Sequence, residues 1–224
     1  MIKAIAFDLD DTLLDTSGLL TPQASRETFN LMIQKGLKLS LGECESFRTN
    51  LIRTYSHREV FEKLANTYGT AETVQNLPEI YDSFYFAKLP KDLPLIKDAQ
   101  ENLSYLKTKY ALYLVTAGIE SSQLAKVEAL GIKKDFKEVF VVNSLLKHKK
   151  KDAFQKILEL ENIQAEQLLC IGNSLLSEIQ DAISLNAKAC YFEHGEERGK
   201  LTDLPRPPDF HVKNHAELIK ACQL

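Results

Sequence analysis

Apolar residues in this chain fall into two patterns. Short runs at 2–7 (broken only by Lys3), 111–115, 139–142, 168–171 and 189–192, with a last one at 210–212, have the length of buried strands. Longer stretches carry apolar residues at helical spacing. Thr21 and Pro22 predict an N-cap followed by Pro at the first helical position, with Phe29, Met32 and Ile33 as the stripe and Gly36 as the stop. Ser40 and Glu43 form a capping box that opens a second helix. Val60, Phe61 and Leu64 mark a third, ending at Gly69, and Phe84, Tyr85 and Phe86 close a fourth before Pro90 and Pro94. Beyond Asp98, helices and strands alternate. The helices run through Leu103 and Leu106, over 121–130 to Gly131, through Phe154, Ile157 and Leu158, through Ile179, Ala182 and Ile183, and after the final strand.

Repeated strand–helix pairs imply a parallel sheet with right-handed crossovers and helices on both faces, a doubly wound Rossmann-like α/β fold. The helical block at 16–95 is too long for a connection, because loops beyond about 15 residues are rare in compact domains. It reads as an inserted helical unit, leaving 1–15 and 96–224 as the α/β core. Ligands of such sheets bind at the carboxyl ends of the strands.

Composition narrows the class. The net charge of −3 over 224 residues makes no case for nucleic acid or a membrane surface. No apolar run approaches the roughly 20 residues of a membrane span, and a chain that opens on a strand leaves no room for a signal peptide. Cys44, Cys170, Cys190 and Cys222 include no CxxC pair and read as reduced residues of a cytoplasmic protein. His148, His194, His211 and His215 lack ligand spacing and are expected to be structural.

The chemistry gathers at four predicted strand ends. The first strand runs into Asp8-Leu9-Asp10-Asp11-Thr12. Like charges collected there need a positive partner, and a divalent cation with oxygen ligands is the simplest. Strand alternation would turn Asp8 and Asp10 to one face, so that one carboxylate attacks while the other moves protons. The second strand delivers Thr116-Ala117-Gly118, a hydroxyl and small residues suited to phosphate oxygens. The basic run Lys147-His148-Lys149-Lys150-Lys151-Asp152 precedes a helix, with Asp152 expected as its N-cap. The fourth segment is Ile171-Gly172-Asn173-Ser174-Leu175-Leu176-Ser177-Glu178-Ile179. Taken singly, each also reads as an ordinary cap, turn or solvated loop; their order along the chain sets them apart.

Asp8-Leu9-Asp10-Asp11-Thr12 resembles the DxDxT signature of the haloacid dehalogenase-like (HAD) hydrolase superfamily, and the later segments resemble its other three motifs in order. The resemblance implies a phosphoryl-accepting nucleophile at Asp8 and a general acid/base at Asp10. It implies Mg²⁺ held by the Asp8 carboxylate and the Asp10 backbone carbonyl, with Asn173 and Glu178 as further metal residues. Thr116, Ala117 and Gly118 would bind the phosphoryl group. The motif lysine would be Lys149, with Lys150 second and Lys151 too close to the helix. The family's GDSxxSD pattern is altered here at Asn173 and Glu178. The helical block corresponds to a C1-type cap, a lid over the strand ends with its most polar-aromatic cluster at Arg48, Arg53, Tyr55, His57 and Arg58.

The function implied is Mg²⁺-dependent hydrolysis of a small phosphorylated metabolite. A phosphomutase and a catalytically weakened binding protein are the alternatives, and Asp10 argues against a dehalogenase. Nucleoside monophosphates, phosphoglycolate and sugar phosphates all suit a mobile cap. No feature of the sequence selects an oligomeric state.

Overall fold

The computed structural model describes residues 1–90, 92–143, 148–196 and 199–224; Lys147, the first residue of the basic run, lies outside them. The chain divides into two compact units, one of Met1–Thr16 with Pro90–Leu224 and one of Ser17–Leu89.

The first unit is built on a parallel sheet. Its strands are β1 (Ala4–Phe7), β2 (Ala111–Ala117), β3 (Glu138–Val142), β4 (Leu168–Gly172), β5 (Lys188–Phe192) and β6 (Phe210–Val212), in the order β3-β2-β1-β4-β5-β6. Every apolar run expected to be a strand is one. β1 is central: Ala4 pairs with Ala111 on one side and with Leu168 on the other. The strand order reverses there, which makes the carboxyl end of β1 the switch point where a crevice opens. Ala4, Ala6, Tyr113, Val115, Leu168 and Cys170 bury one face against Phe154, Ile157 and Ile179. Ile5 and Phe7 alternate onto the other face and are equally buried, so β1 is apolar on both sides, as a central parallel strand must be.

The helices follow in chain order. α1 (Thr16–Leu19) is a single turn, and α2 (Thr21–Gln34), α3 (Leu41–Leu51), α4 (His57–Tyr68), α5 (Ala71–Gln75) and α6 (Leu77–Tyr85) form the helical unit. α3 and α4 open on full capping boxes, Ser40 with Glu43 and Ser56 with Glu59. Such a cap contributes about 1 kcal/mol. Phe29, Met32, Phe61, Leu64 and Ile80 close this unit's own core, with the Phe29 and Phe61 rings edge to face at 5.9 Å. Burying each large side chain contributes about 1.5–3 kcal/mol. Thr21 is not the N-cap of α2: the helix already includes it, Leu20 occupies the cap position, and Pro22 falls one residue inside.

In the α/β unit come α7 (Ala99–Leu106), α8 (Glu120–Leu130), α9 (Lys150–Glu161), α10 (Gln180–Ser184) and α11 (His215–Ala221). α9 begins earlier than expected. Lys149 is its N-cap residue and Asp152 lies in its first turn, so Asp152 is not the cap. The segment after β4 also differs. Leu175–Ile179 is a π-helical turn with a kink at Ser177 (φ −122°, ψ −106°), and regular helix starts only at Gln180. Where the chain leaves and returns to this unit, Ile96 N–H donates to Leu13 O at 2.8 Å. That bond brings the ends of the inserted stretch together.

Candidate active site

The carboxyl end of β1 sets the site. Asp8 continues the strand far enough for its N–H to donate to Ile171 O at 2.9 Å. Its side chain is buried, and Lys150 Nζ lies 2.6 Å from Asp8 Oδ1 and 2.9 Å from Glu178 Oε2. Lys150 reaches this point because it is the first residue of α9 and shares the helix's inner face with Phe154 and Ile157, at spacings of one and two turns. Lys149, favoured from the sequence, is exposed one residue earlier; the expected count assumed a later helix start.

Three buried charges of mixed sign perturb one another. Burial pushes the Asp8 carboxyl up, to about 8, against the pull of Lys150; Glu178 and Asp10 add to the rise. Burial also works against the Lys150 ammonium, but Asp8 and Glu178 outweigh it and hold the group above the ordinary lysine range. Glu178 is tied at both oxygens, since Oε1 accepts from Ser174 N–H at 2.5 Å. The π-turn returns its side chain toward β4, as such turns often do at functional sites.

Asp10 has a different set of partners. The strand stops at Phe7 and the chain turns at Asp11 (φ 54°), so alternation does not extend to Asp10. Thr16 Oγ1 donates to Asp10 Oδ1 at 2.5 Å, Lys126 Nζ lies 2.7 Å from the same oxygen, and Gln123 Nε2 donates to Oδ2 at 2.7 Å. Burial raises this carboxyl, but Lys126 and the hydrogen bonds from Gln123, Lys126 and Thr16 outweigh it and hold Asp10 below the usual carboxylate range. Thr116, at the end of β2, is buried and accepts from Gln123 Nε2 at 2.6 Å. Ala117 and Gly118 follow it, and Ala117 O accepts from the same amide at 3.0 Å. Gln123 and Lys126 were not anticipated, because polar residues on an amphipathic helix look like its solvent face.

Asn173 is buried and its Nδ2 donates to His194 O at 3.2 Å. Asp8, Asn173 and the Asp10 carbonyl are all oxygen donors, the kind a hard divalent cation takes. Among the described residues, no group of three or more His, Cys, Asp and Glu side chains could hold a metal ion. A cation here would therefore draw on amide and carbonyl oxygens and on water, which suits Mg²⁺.

His215 braces the turn that follows β1. Its Nε2 lies 2.7 Å from Thr12 O, which only accepts, so this nitrogen carries the proton. Its Nδ1 faces Asn102 Nδ2 at 3.3 Å, and burial keeps the ring below the usual histidine range. His211 pairs with Glu193 at 2.7 Å, and His194 with Asp15 at 3.3 Å. Within the helical unit, Arg58 pairs with Glu62 at 3.0 Å and lies over Tyr81, while His57 packs on Phe84.

Fold and site together define a doubly wound α/β protein with buried carboxylates at the switch point and a helical insertion after the first strand. A family model described as haloacid dehalogenase-like hydrolase matches residues 5–192. The chain is 27% identical to the glyceraldehyde 3-phosphate phosphatase of Pyrococcus abyssi over 230 residues, covering 100% of this chain and 94% of that one. A solved structure described as a predicted phosphoglycolate phosphatase from Haemophilus somnus superposes with a TM-score of 0.74 at 20% identity, covering 99% and 98% of the two chains. The magnesium-bound YfnB of Bacillus subtilis gives 0.68 at 21% identity, covering 100% and 99%. At these identities the two structures show likeness of fold. The chain belongs to the haloacid dehalogenase-like hydrolases. Among the described residues, no helix is long and apolar enough to cross a membrane.

Proposed function

We propose that this protein is a Mg²⁺-dependent phosphomonoester hydrolase that acts on a small phosphorylated metabolite through an aspartyl-phosphate at Asp8. The observation that carries the reading is the buried Asp8–Lys150 pair, 2.6 Å apart, at the end of the central strand. An Asp8 oxygen attacks the phosphorus in line; the new O–P bond forms as the ester O–P bond breaks, and Asp10, after leaving the donors that hold it ionised here and taking a proton from water, gives that proton to the departing alcohol oxygen. Asp10 then takes a proton from the water that cleaves the acyl phosphate, releasing inorganic phosphate and restoring Asp8. Lys150 balances charge on Asp8 and the phosphoryl oxygens, and Thr116, with the backbone at Ala117 and Gly118, orients them. Asp8, the Asp10 carbonyl, Asn173 and Glu178 are the residues that would hold a magnesium ion, which would supply further neutralisation of phosphoryl charge.

The names of the relatives support a phosphorylated metabolite of small size. The helical unit takes the part of a C1-type cap and selects the substrate. The four free cysteines, all buried, favour a reducing compartment such as the cytoplasm.

The test is phosphate release from a broad panel of phosphomonoesters, with Mg²⁺ and then with excess chelator, for the wild type and Asp8→Asn. Release from a narrow set, lost with chelator and with Asp8→Asn, is expected. A folded wild type that releases nothing, or an Asp8→Asn variant of undiminished rate, removes the reading. Interconversion of phosphosugar isomers without phosphate release would make the protein a mutase on the same aspartate.

A further inference from the structure

The sheet has two edge strands, β3 and β6, and they are built differently. β6 is three residues long and follows Pro207 and Pro208, so it offers little for another strand to pair with. β3 is five residues long, and after Glu138 at its start it runs Val139-Phe140-Val141-Val142, with no proline and no further charge. An apolar edge of that kind is open to a further strand.

The outward backbone groups of β3 follow from its register. Val142 O accepts from Gly118 N–H at 2.9 Å, so Val142 turns its backbone toward β2, and Phe140, two residues back, does the same. Val139 and Val141 therefore present N–H and C=O to the open side. When β3 pairs antiparallel with a second β3, centred on Phe140, Val139 of each copy lies opposite Val141 of the other. Those are the positions that exchange both their bonds, and the two Phe140 residues meet in the closer, non-bonded position between them. The edge is thus complementary to itself.

The side chains on one face agree. Phe140 packs against the core that holds Phe154 and Ile157 of α9, and its ring stacks on Tyr113 at 6.1 Å. A groove of about 400 Å³ runs there, lined by Glu138, Phe140, Lys156, Glu159 and Leu160. Leu160 is 60% exposed in it. A two-fold axis perpendicular to the sheet would set the two α9 helices side by side and antiparallel on this face. Lys156 and Glu159 are exposed, three residues apart and level with Phe140. Each would then face the opposite charge on the other copy.

We propose that the protein forms a two-fold dimer through β3, joining two six-stranded sheets into one, with Lys156 and Glu159 pairing reciprocally between the α9 helices. The occupant of the groove is a second copy of this chain, as the symmetric bonds and charges of the edge require. The proposal does not depend on the catalytic reading, and its test needs no turnover.

The full-length wild type, Val141→Pro, Lys156→Glu, Glu159→Lys and the double variant K156E/E159K are compared by sedimentation velocity over about 1–100 µM protein, where mass action shifts a dimer. Folding of each is checked by thermal melting. Proline at 141 removes an outward N–H and leaves the ladder to β2 in place. The wild type should be dimeric and Val141→Pro monomeric. Each single charge reversal should raise the dissociation constant about tenfold, because it sets like charges against each other twice in the dimer, and the double variant should restore most of the loss. A wild type that stays monomeric at the highest concentration, or that grows into open-ended assemblies, would overturn the proposal. So would a dimer that Val141→Pro leaves intact, or one in which the double variant is as weak as the single ones. Lys156 and Glu159 are exposed, so their variants decide the matter even where Val141→Pro fails to fold.

Discussion

Glu178 occupies the space that a side chain at position 172 would need: a Cβ built on Gly172 would lie 2.5 Å from Glu178 Oε1. The carboxylate that holds Lys150 thus lies against bare backbone at the end of β4. Gly172→Ala should push Glu178 off Lys150. Overpacking of this kind costs about 1–3 kcal/mol, and the displaced partner should lower kcat as well. Thermal melting and phosphate release check both parts; wild-type kcat in the alanine variant would mean that Glu178 is not needed where it sits.

Lys150 and Lys149 give opposite predictions one residue apart. Lys150→Met leaves two buried carboxylates without their cation. Breaking a buried pair costs about 3–5 kcal/mol, read by urea unfolding without divalent ions. Loss of a preorganised charge at the reaction centre lowers kcat by roughly a hundredfold or more. Lys149→Met, at an exposed position, should match the wild type in both assays. Equal effects of the two substitutions would contradict the placement of Lys150.

Asn173→Asp adds a charged oxygen where the family pattern has one. The variant should bind Mg²⁺ more tightly, seen as a larger rise in melting temperature at a given Mg²⁺ concentration and as a lower concentration for half-maximal rate. An unchanged or weaker Mg²⁺ response would put residue 173 away from the cation.

His215 predicts a pH effect on stability. Its folded value lies below the ordinary 6.5. As pH falls below 6.5, the unfolded chain takes up a proton that the folded state refuses, so stability present at neutral pH is lost toward the folded value. His215→Gln can still donate to Thr12 O but has no proton to gain. Its stability should therefore trail the wild type most near neutral pH and least in mild acid, by urea unfolding at about pH 7.5 and pH 5.5. A gap of equal size at both values would show that His215 does not titrate this way.

The α/β plan was legible because each strand is a closed apolar run between turn residues, and because central parallel strands tolerate no polar face. The places of Asp8, Asp10 and Thr116 were legible for the same reason: they stand where those runs stop. What failed was local register. Lys149 and Lys150 look alike in a basic run, and only their spacing from Phe154 and Ile157 separates them once the helix start is known. The π-turn at Leu175–Ile179 has no marker in composition; it is held by bonds from Glu178 to Ser174 and to Lys150, on another helix. Gln123 and Lys126 escaped notice because the partner they share, Asp10, lies more than a hundred residues away.

The position of β1 has a consequence for how the protein is made. The strand bearing Asp8 is synthesised first, yet its neighbour β4 emerges only at Leu168–Gly172. The helical unit, whose core is drawn from residues 29–84, is complete on the ribosome long before that. Assembly therefore runs inside out, with the inserted unit folding ahead of the domain that contains it. The first strand waits with one edge open, a liability until it is covered. A chain halted before Leu168 would hold Asp8 and Asp10 and neither Glu178 nor the backbone acceptor at Ile171. The proposed reaction centre thus comes together only once most of the protein has been translated, and on that reading a truncated product should not turn over substrate.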